Sequence, residues 1–228
     1  MENTKGFLNR MKYTKWVHVL FISSCLFLLT NSLFFFHIFF ISLNHLSLFV
    51  FLISAMLMFP SITALMQVIW KQLRQQEVAV FRDYFHAYKT NFKVAFLSGC
   101  LNVILLSVFI FNYFFIKLNP MRNQLWLIPI VLMLFMVVNT SIYQAMIITR
   151  FHTHFKAVVL LSWYYVFKFR TETVKNSLLV LIAGFSIMIL PMSLSLLLLS
   201  GSVALGLMVN MQQQILKLEK SVCTEKNA

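Results

Sequence analysis

The chain has 228 residues, of which 60% are hydrophobic and only 11% charged, with a mean hydropathy of +0.82 and a formal net charge of +13. A water-soluble domain carries about 25% charged and about 45–50% apolar residues, so an aqueous globular fold is excluded and the apolar excess has to face lipid. Nucleic acid is not expected as a partner, because the cations sit in short segments between apolar runs, where membrane topology and anionic lipid headgroups account for them.

Lys5, Arg10, Lys12 and Lys15 precede an apolar run that is longer than a signal-peptide core and is followed by no small-x-small cleavage site. This predicts an uncleaved first span. Residues 16–70 contain no Asp, Glu, Lys or Arg. One span needs about 20 residues, so the run predicts two antiparallel helices, 16–41 and 46–70, broken at Ser42-Leu43-Asn44-His45. Trp16 and Trp70 mark the same membrane interface. The third span is predicted at 94–116 and the fourth at 125–149, joined through the turn Lys117-Leu118-Asn119-Pro120-Met121-Arg122. Residues 176–216 form another uncharged run, 41 residues long. At about 1.5 Å per residue that exceeds a bilayer of about 30 Å. We divide it at Ser200-Gly201-Ser202. The fifth span is then 177–199, kinked at Pro191, and 202–228 is a tail. Within the tail, Ala204, Met208, Met211, Ile215 and Leu218 fall at helical spacing, the pattern of a helix lying along the interface. A sixth span is the alternative.

Lys and Arg number 4 in the N-terminal segment, 5 in the 71–93 loop and 5 in the 150–175 loop, against none in the 42–45 turn and 2 in the 117–122 turn. The positive-inside rule places the first three in the cytoplasm. Five spans then leave the tail outside. The expected fold class is all-α: one polytopic membrane helix bundle over 1–228, multi-pass in the plasma membrane, N-terminus cytoplasmic, five spans or six, with amphipathic helices in the cytoplasmic loops. Each of those loops follows a span containing a glutamine (Gln67, Gln144), holds an aromatic-rich basic segment and leads through a lysine (Lys93, Lys175) into the next span. The pattern is that of a parallel duplication.

In the first loop, Phe81, Tyr84, Phe85, Tyr88 and Phe92 fall on one stripe of an α-helix. Arg82, Asp83, His86, Lys89 and Lys93 lie largely outside it. Such a helix lies in the interface with its rings among the headgroups, as an anchor or as a docking surface for a partner. In the second span, Pro60 frees a backbone carbonyl near residue 56, and Thr63 and Gln67 give the same face a polar edge. These groups either bond to neighbouring helices or line a substrate path.

The segment Phe59-Pro60-Ser61-Ile62-Thr63-Ala64-Leu65-Met66, followed by Val80-Phe81-Arg82 and Tyr88-Lys89-Thr90-Asn91-Phe92-Lys93, resembles the YesL-like family of bacterial membrane proteins. The likeness is strongest over about 55–95. The family's Gly-rich approach to the proline is here Ala55-Met56-Leu57-Met58. The resemblance implies an accessory role in carbohydrate uptake, with membrane transporter subunits as partners, and names no catalytic residue.

Elsewhere the predicted spans carry Asn31, His37, Asn102, Asn112, Asn139 and Gln144, the asparagines and the glutamine being read as helix–helix contacts, but no Asp, Glu, Lys or Arg. With only His18 and His37 to titrate, a proton-coupled carrier lacks its usual parts; a facilitator for a polar solute would not need them. His152-Thr153-His154 has the wrong spacing for a shared helix face. Cys25, Cys100 and Cys223 form neither a disulfide framework nor a metal set. Ala157 to Phe167 is too short to span and predicts a second interfacial helix. No phosphate loop, nucleophile elbow or zinc motif occurs. No enzyme activity, metal or cofactor is expected.

Overall fold

In hydrocarbon a backbone amide has no water to bond to, so a spanning segment must pair its own N–H and C=O groups, which the α-helix does. The structure, a computed structural model, describes the backbone of residues 2–41, 45–118, 127–151, 153–189 and 192–226, and within them the side chains of 14–41, 48–116, 128–151, 153–187, 189 and 196–216. Among the described residues there are eight helices and no strand: α1 (Glu2–Thr30), α2 (Ser32–Phe40), α3 (His45–Leu73), α4 (Val80–Leu118), α5 (Leu127–Arg150), α6 (Phe155–Lys168), α7 (Arg170–Ile189) and α8 (Met192–Lys226). Four are long and apolar enough to cross a bilayer, over Leu48–Leu73, Val80–Ile116, Ile128–Arg150 and Leu196–Leu216. The pair α1 and α2, bent by 66°, makes a fifth when taken as one span. At the bend the Asn31 Nδ2 donates to the Phe27 carbonyl at 2.7 Å. The chain is an all-α polytopic helical bundle.

The most extensive packing is between α3 and α4; α5 lies against both, α1 against α3 and α8, and α7 against α5 and α8. The centre is filled by Val68, Ile69, Trp70, Tyr143, Met146 and Met208. The outer surface is apolar too, with Ile104, Phe111, Val131, Leu132, Leu181 and Phe185 exposed. A surface of that kind is stable only against lipid.

One end of the bundle gathers the basic groups. There Lys15 and Trp16 stand beside the α3–α4 link, the Arg150 guanidinium lies 4.8 Å from the Trp70 ring centroid, and Lys71 pairs with Asp83 at 2.9 Å. The same Asp83 oxygen, Oδ2, also accepts from the Ala79 N–H at 3.0 Å, which satisfies one of the donors that the start of α4 leaves unpaired. Helix α3 ends in a Schellman motif: the Gln76 N–H reaches the Lys71 carbonyl and the Gln75 N–H that of Gln72. Gln75 occupies the left-handed position with φ 56°, which glycine adopts without steric cost. Replacing Gln75 by Gly should therefore stabilise the protein by about 1 kcal/mol, read as a raised melting temperature in detergent. A lowered one would refute the reading of this cap.

Four expectations need revision. First, Ser200-Gly201-Ser202 does not divide the 176–216 run, since α8 passes straight through it. A Cβ on Gly201 would meet Ser24 Oγ at 2.6 Å and the Leu20 carbonyl oxygen at 3.1 Å, so the small residue seats α8 against α1. The fifth span accordingly does not run 177–199. Pro191, expected to kink it, lies with Leu190 outside the described residues, between the end of α7 and the start of α8. Second, Ala204, Met208, Met211 and Ile215 do not lie along an interface; they are buried in the bundle, while the side chain of Leu218 is outside the described set.

Third, Asn210 bonds to Asn176 and Gln214 to Glu172, so α8 runs antiparallel to α7 and returns to the basic end. The tail is thus on the side from which α1 starts, which is the helix order of the six-span alternative. Fourth, residues 81–93 are helical, but they are the first turns of α4, a continuous helix of 39 residues. Nothing between 92 and 95 interrupts helical hydrogen bonding, so the amphipathic segment and the predicted 94–116 span are one rod. Of the 42–45 break, His45 is already the first residue of α3, and residues 42–44, most of the 117–122 turn and His152 fall outside the described residues.

Candidate functional site

Polar side chains inside an apolar bundle have few partners and each must find one. Those of this chain form a series of contacts between helices. Asn91 Nδ2 on α4 donates to Gln67 Oε1 on α3 at 2.9 Å. Three turns along α4, Asn102 Nδ2 donates to Gln144 Oε1 on α5, also at 2.9 Å. Asn139 donates to Ser177 Oγ at 2.7 Å, the Tyr143 and Thr173 hydroxyls are 3.0 Å apart, and Asn210 Nδ2 reaches Asn176 Oδ1 at 2.7 Å. Together these tie α5 to α7 and α7 to α8. Asn31, between α1 and α2, instead bonds to the Phe27 carbonyl of α1, and His37 and Asn112 bond to carbonyls one turn back on their own helices.

The residues expected to line a path or make contacts face α4 and their own helix. Pro60 and Thr63 are buried, and Thr63 Oγ1 donates to the Pro60 carbonyl at 2.8 Å. Gln67 is half-buried with its Oε1 engaged by Asn91. The carbonyl deprived of a donor by Pro60 is that of Met56. It faces Gly99 of α4, where a Cβ would stand only 2.6 Å from the Met56 oxygen and 2.9 Å from Phe59 Cβ. The close approach that a Gly-rich α3 would provide is thus supplied from the opposite helix, by Gly99 within the small stripe Ala87, Ala95 and Ser98.

Beside this seam lies a cavity of about 580 Å³ walled by α1–α2, α3, α5, α7 and α8. Phe27, Phe39, Phe59, Ile142 and Val203 are typical of its lining, which is apolar except for Ser141 and Ser200. Ser141 Oγ bonds back to the Val137 carbonyl. Neither Pro60, Thr63 nor Gln67 is on the wall.

Residues 16–113 match the family model described as a protein of unknown function, DUF624. No curated protein and no solved structure matches the chain. The DUF624 match covers rather less than half of the sequence: it takes in α1 from Trp16, all of α2 and α3, and α4 as far as Tyr113. It therefore contains the Pro60–Gly99 seam and the Gln67–Asn91 contact, while Gln144, α7 and α8 lie beyond it.

The aromatic stripe of the DUF624 region splits on the folded chain. Tyr84 is fully buried, its hydroxyl 2.9 Å from Thr30 Oγ1, and Tyr88 is half-buried. Phe81, Phe85 and Phe92 are exposed, Phe81 by 60%, next to the exposed Arg82, Lys89 and Lys93. One side of the stripe thus packs the bundle, and only the other is free to meet a headgroup layer or a partner. In α6, Val158, Ser162, Tyr165 and Val166 are buried against α5 while Leu160, Tyr164 and Phe167 face outward. Burial, and secondarily the neighbouring Tyr164, pushes the Tyr165 phenol above its usual range. Cys25 and Cys100 are free thiols. Among the described residues no group of three His, Cys, Asp or Glu side chains could hold a metal ion.

The cavity wall is the feature that sequence reasoning missed. It draws on five separated segments whose only common property is being apolar, and that is also the property of every lipid-facing residue. Gly99 carried a legible signal, a glycine inside a span, that pointed to close packing.

Proposed function

We propose that this protein is a non-catalytic accessory or assembly partner of another membrane complex in a bacterial plasma membrane, with its N-terminus and its 71–93 and 150–175 segments in the cytoplasm. The observation that carries the reading is the outward face of the first turns of α4, where Phe81, Phe85 and Phe92 alternate with Arg82, Lys89 and Lys93. Exposed aromatics beside cations suit a contact at the headgroup level, with anionic lipid or with a partner subunit. The YesL-like resemblance over 55–95 names the system such a partner would serve, carbohydrate uptake, and the match to a family of unknown function over 16–113 is compatible with it. The alternative, an uncoupled transporter or channel for a polar solute, draws less support, because Thr63 and Gln67 are engaged in helix contacts and the cavity wall is apolar.

The test is purification from native membranes in a mild detergent. Subunits of a carbohydrate transporter should co-elute with the wild-type chain, and a Phe81→Ala, Phe85→Ala double variant should retain the fold and lose most of the co-eluting material. Repeated recovery of the wild type alone would count against the proposal. Solute flux across vesicles containing this protein alone would replace it with the transporter reading.

A further inference from the structure

The geometry points to the cavity between α2, α3, α5, α7 and α8 as a binding site for one acyl chain of a membrane lipid. Its volume of about 580 Å³ lies within the range of about 300–1,000 Å³ typical of small-molecule sites. The wall offers almost no hydrogen-bonding groups, and an apolar cavity does not hold water but does take up apolar ligands. The fluid around this bundle is hydrocarbon, so an opening on the lipid-facing surface admits acyl chains before anything else.

Such an opening lies between α2 and α7. Ile38 and Phe39 on one side and Gly184 and Ile187 on the other all line the cavity and are all exposed on the outside of the bundle. The bend between α1 and α2 holds this rim in place: α2 packs on α3 and α1, with Phe34 stacked on Phe51 at 5.2 Å between ring centroids. Gly184 differs from the other described glycines. Gly99, Gly201 and Gly206 each have a neighbour where a Cβ would go, but at Gly184 nothing lies within 4 Å. No close helix contact therefore requires a glycine there, and its small size leaves the mouth of the cavity open.

This gives a variant that blocks the site without disturbing packing. Gly184→Phe puts a ring into the mouth, and Gly184→Ala is the control that gains helix propensity and leaves the room almost unchanged. Each protein is reconstituted into vesicles of a single phosphatidylglycerol, extracted in a delipidating detergent and weighed intact by native mass spectrometry. The wild type and Gly184→Ala should retain one lipid per chain. Gly184→Phe should retain about tenfold less, since the ring takes the room of several methylene groups, and should melt at or above the wild-type temperature. Should Gly184→Phe fail to fold, Gly184→Leu is judged by the same criterion. Equal retention in the folded blocked variant, or detergent as the only species held by the wild type, overturns the proposal.

Discussion

Gly99→Ala should destabilise the protein by about 2 kcal/mol, although alanine is the better helix former by about 1 kcal/mol. The new methyl would stand 2.6 Å from the Met56 carbonyl oxygen and 2.9 Å from Phe59 Cβ. Both are fixed to the α3 backbone, so relief comes only by moving α3 and α4 apart. Overpacking of this kind costs about 1–3 kcal/mol. Separation has a second consequence, because Met56 already lacks its helical donor on account of Pro60 and would face a widened apolar gap. For a chain of this length the loss corresponds to a fall of about 4–8 °C in melting temperature, measurable by thermal aggregation in detergent. Gly99→Leu should prevent stable assembly of the α3–α4 pair. In a Pro60→Ala background, where residue 60 can again donate to Met56, Gly99→Ala should cost less. Strict additivity would remove the link between the two positions. Gly184→Ala, the same chemical change in open space, should have the opposite sign.

The second large effect is expected at Asn102 and Gln144, which are buried with 5% and 0% exposure and joined by a single 2.9 Å hydrogen bond. That bond uses Asn102 Nδ2 and Gln144 Oε1, and Asn102 Oδ1 and Gln144 Nε2 have no partner. Each amide is thus half satisfied, and removing one leaves the other with nothing. Asn102→Ala or Gln144→Ala should each cost about 1–2 kcal/mol. Because the penalty belongs to the stranded partner, an Asn102→Leu, Gln144→Leu double variant should regain most of it and approach the wild type. A double variant as unstable as the sum of the singles would show that the amides make contributions apart from each other. The outcome also bears on function: a pair that can be replaced by leucines without loss of stability or of partner binding is a fastening between α4 and α5.

What the sequence determined by itself was the solvent and the secondary structure. Stretches as long as 16–70 and 176–216 without a formal charge fit hydrocarbon, and in hydrocarbon the helix is the form that pairs its own backbone. Span positions at 46–70 and 94–116 followed from that argument and fall inside α3 and α4, and the 125–149 position coincides with α5 from Leu127 onward. The assignment of asparagines and glutamines to helix contacts followed as well, correctly for Asn102, Asn139 and Gln144. Only the tertiary structure decided which apolar faces meet helices and which meet lipid, because both environments select the same side chains and no periodicity separates them. That is why the Met208–Met211–Ile215 stripe could be read as an interfacial face when it is core, and why the cavity left no trace in the sequence. Length alone requires a break somewhere in the 176–216 run, and it does not place that break at the glycine at 201. In lipid a small residue lets two backbones approach, so α8 continues through Gly201 against α1 and turns the chain back to its starting side.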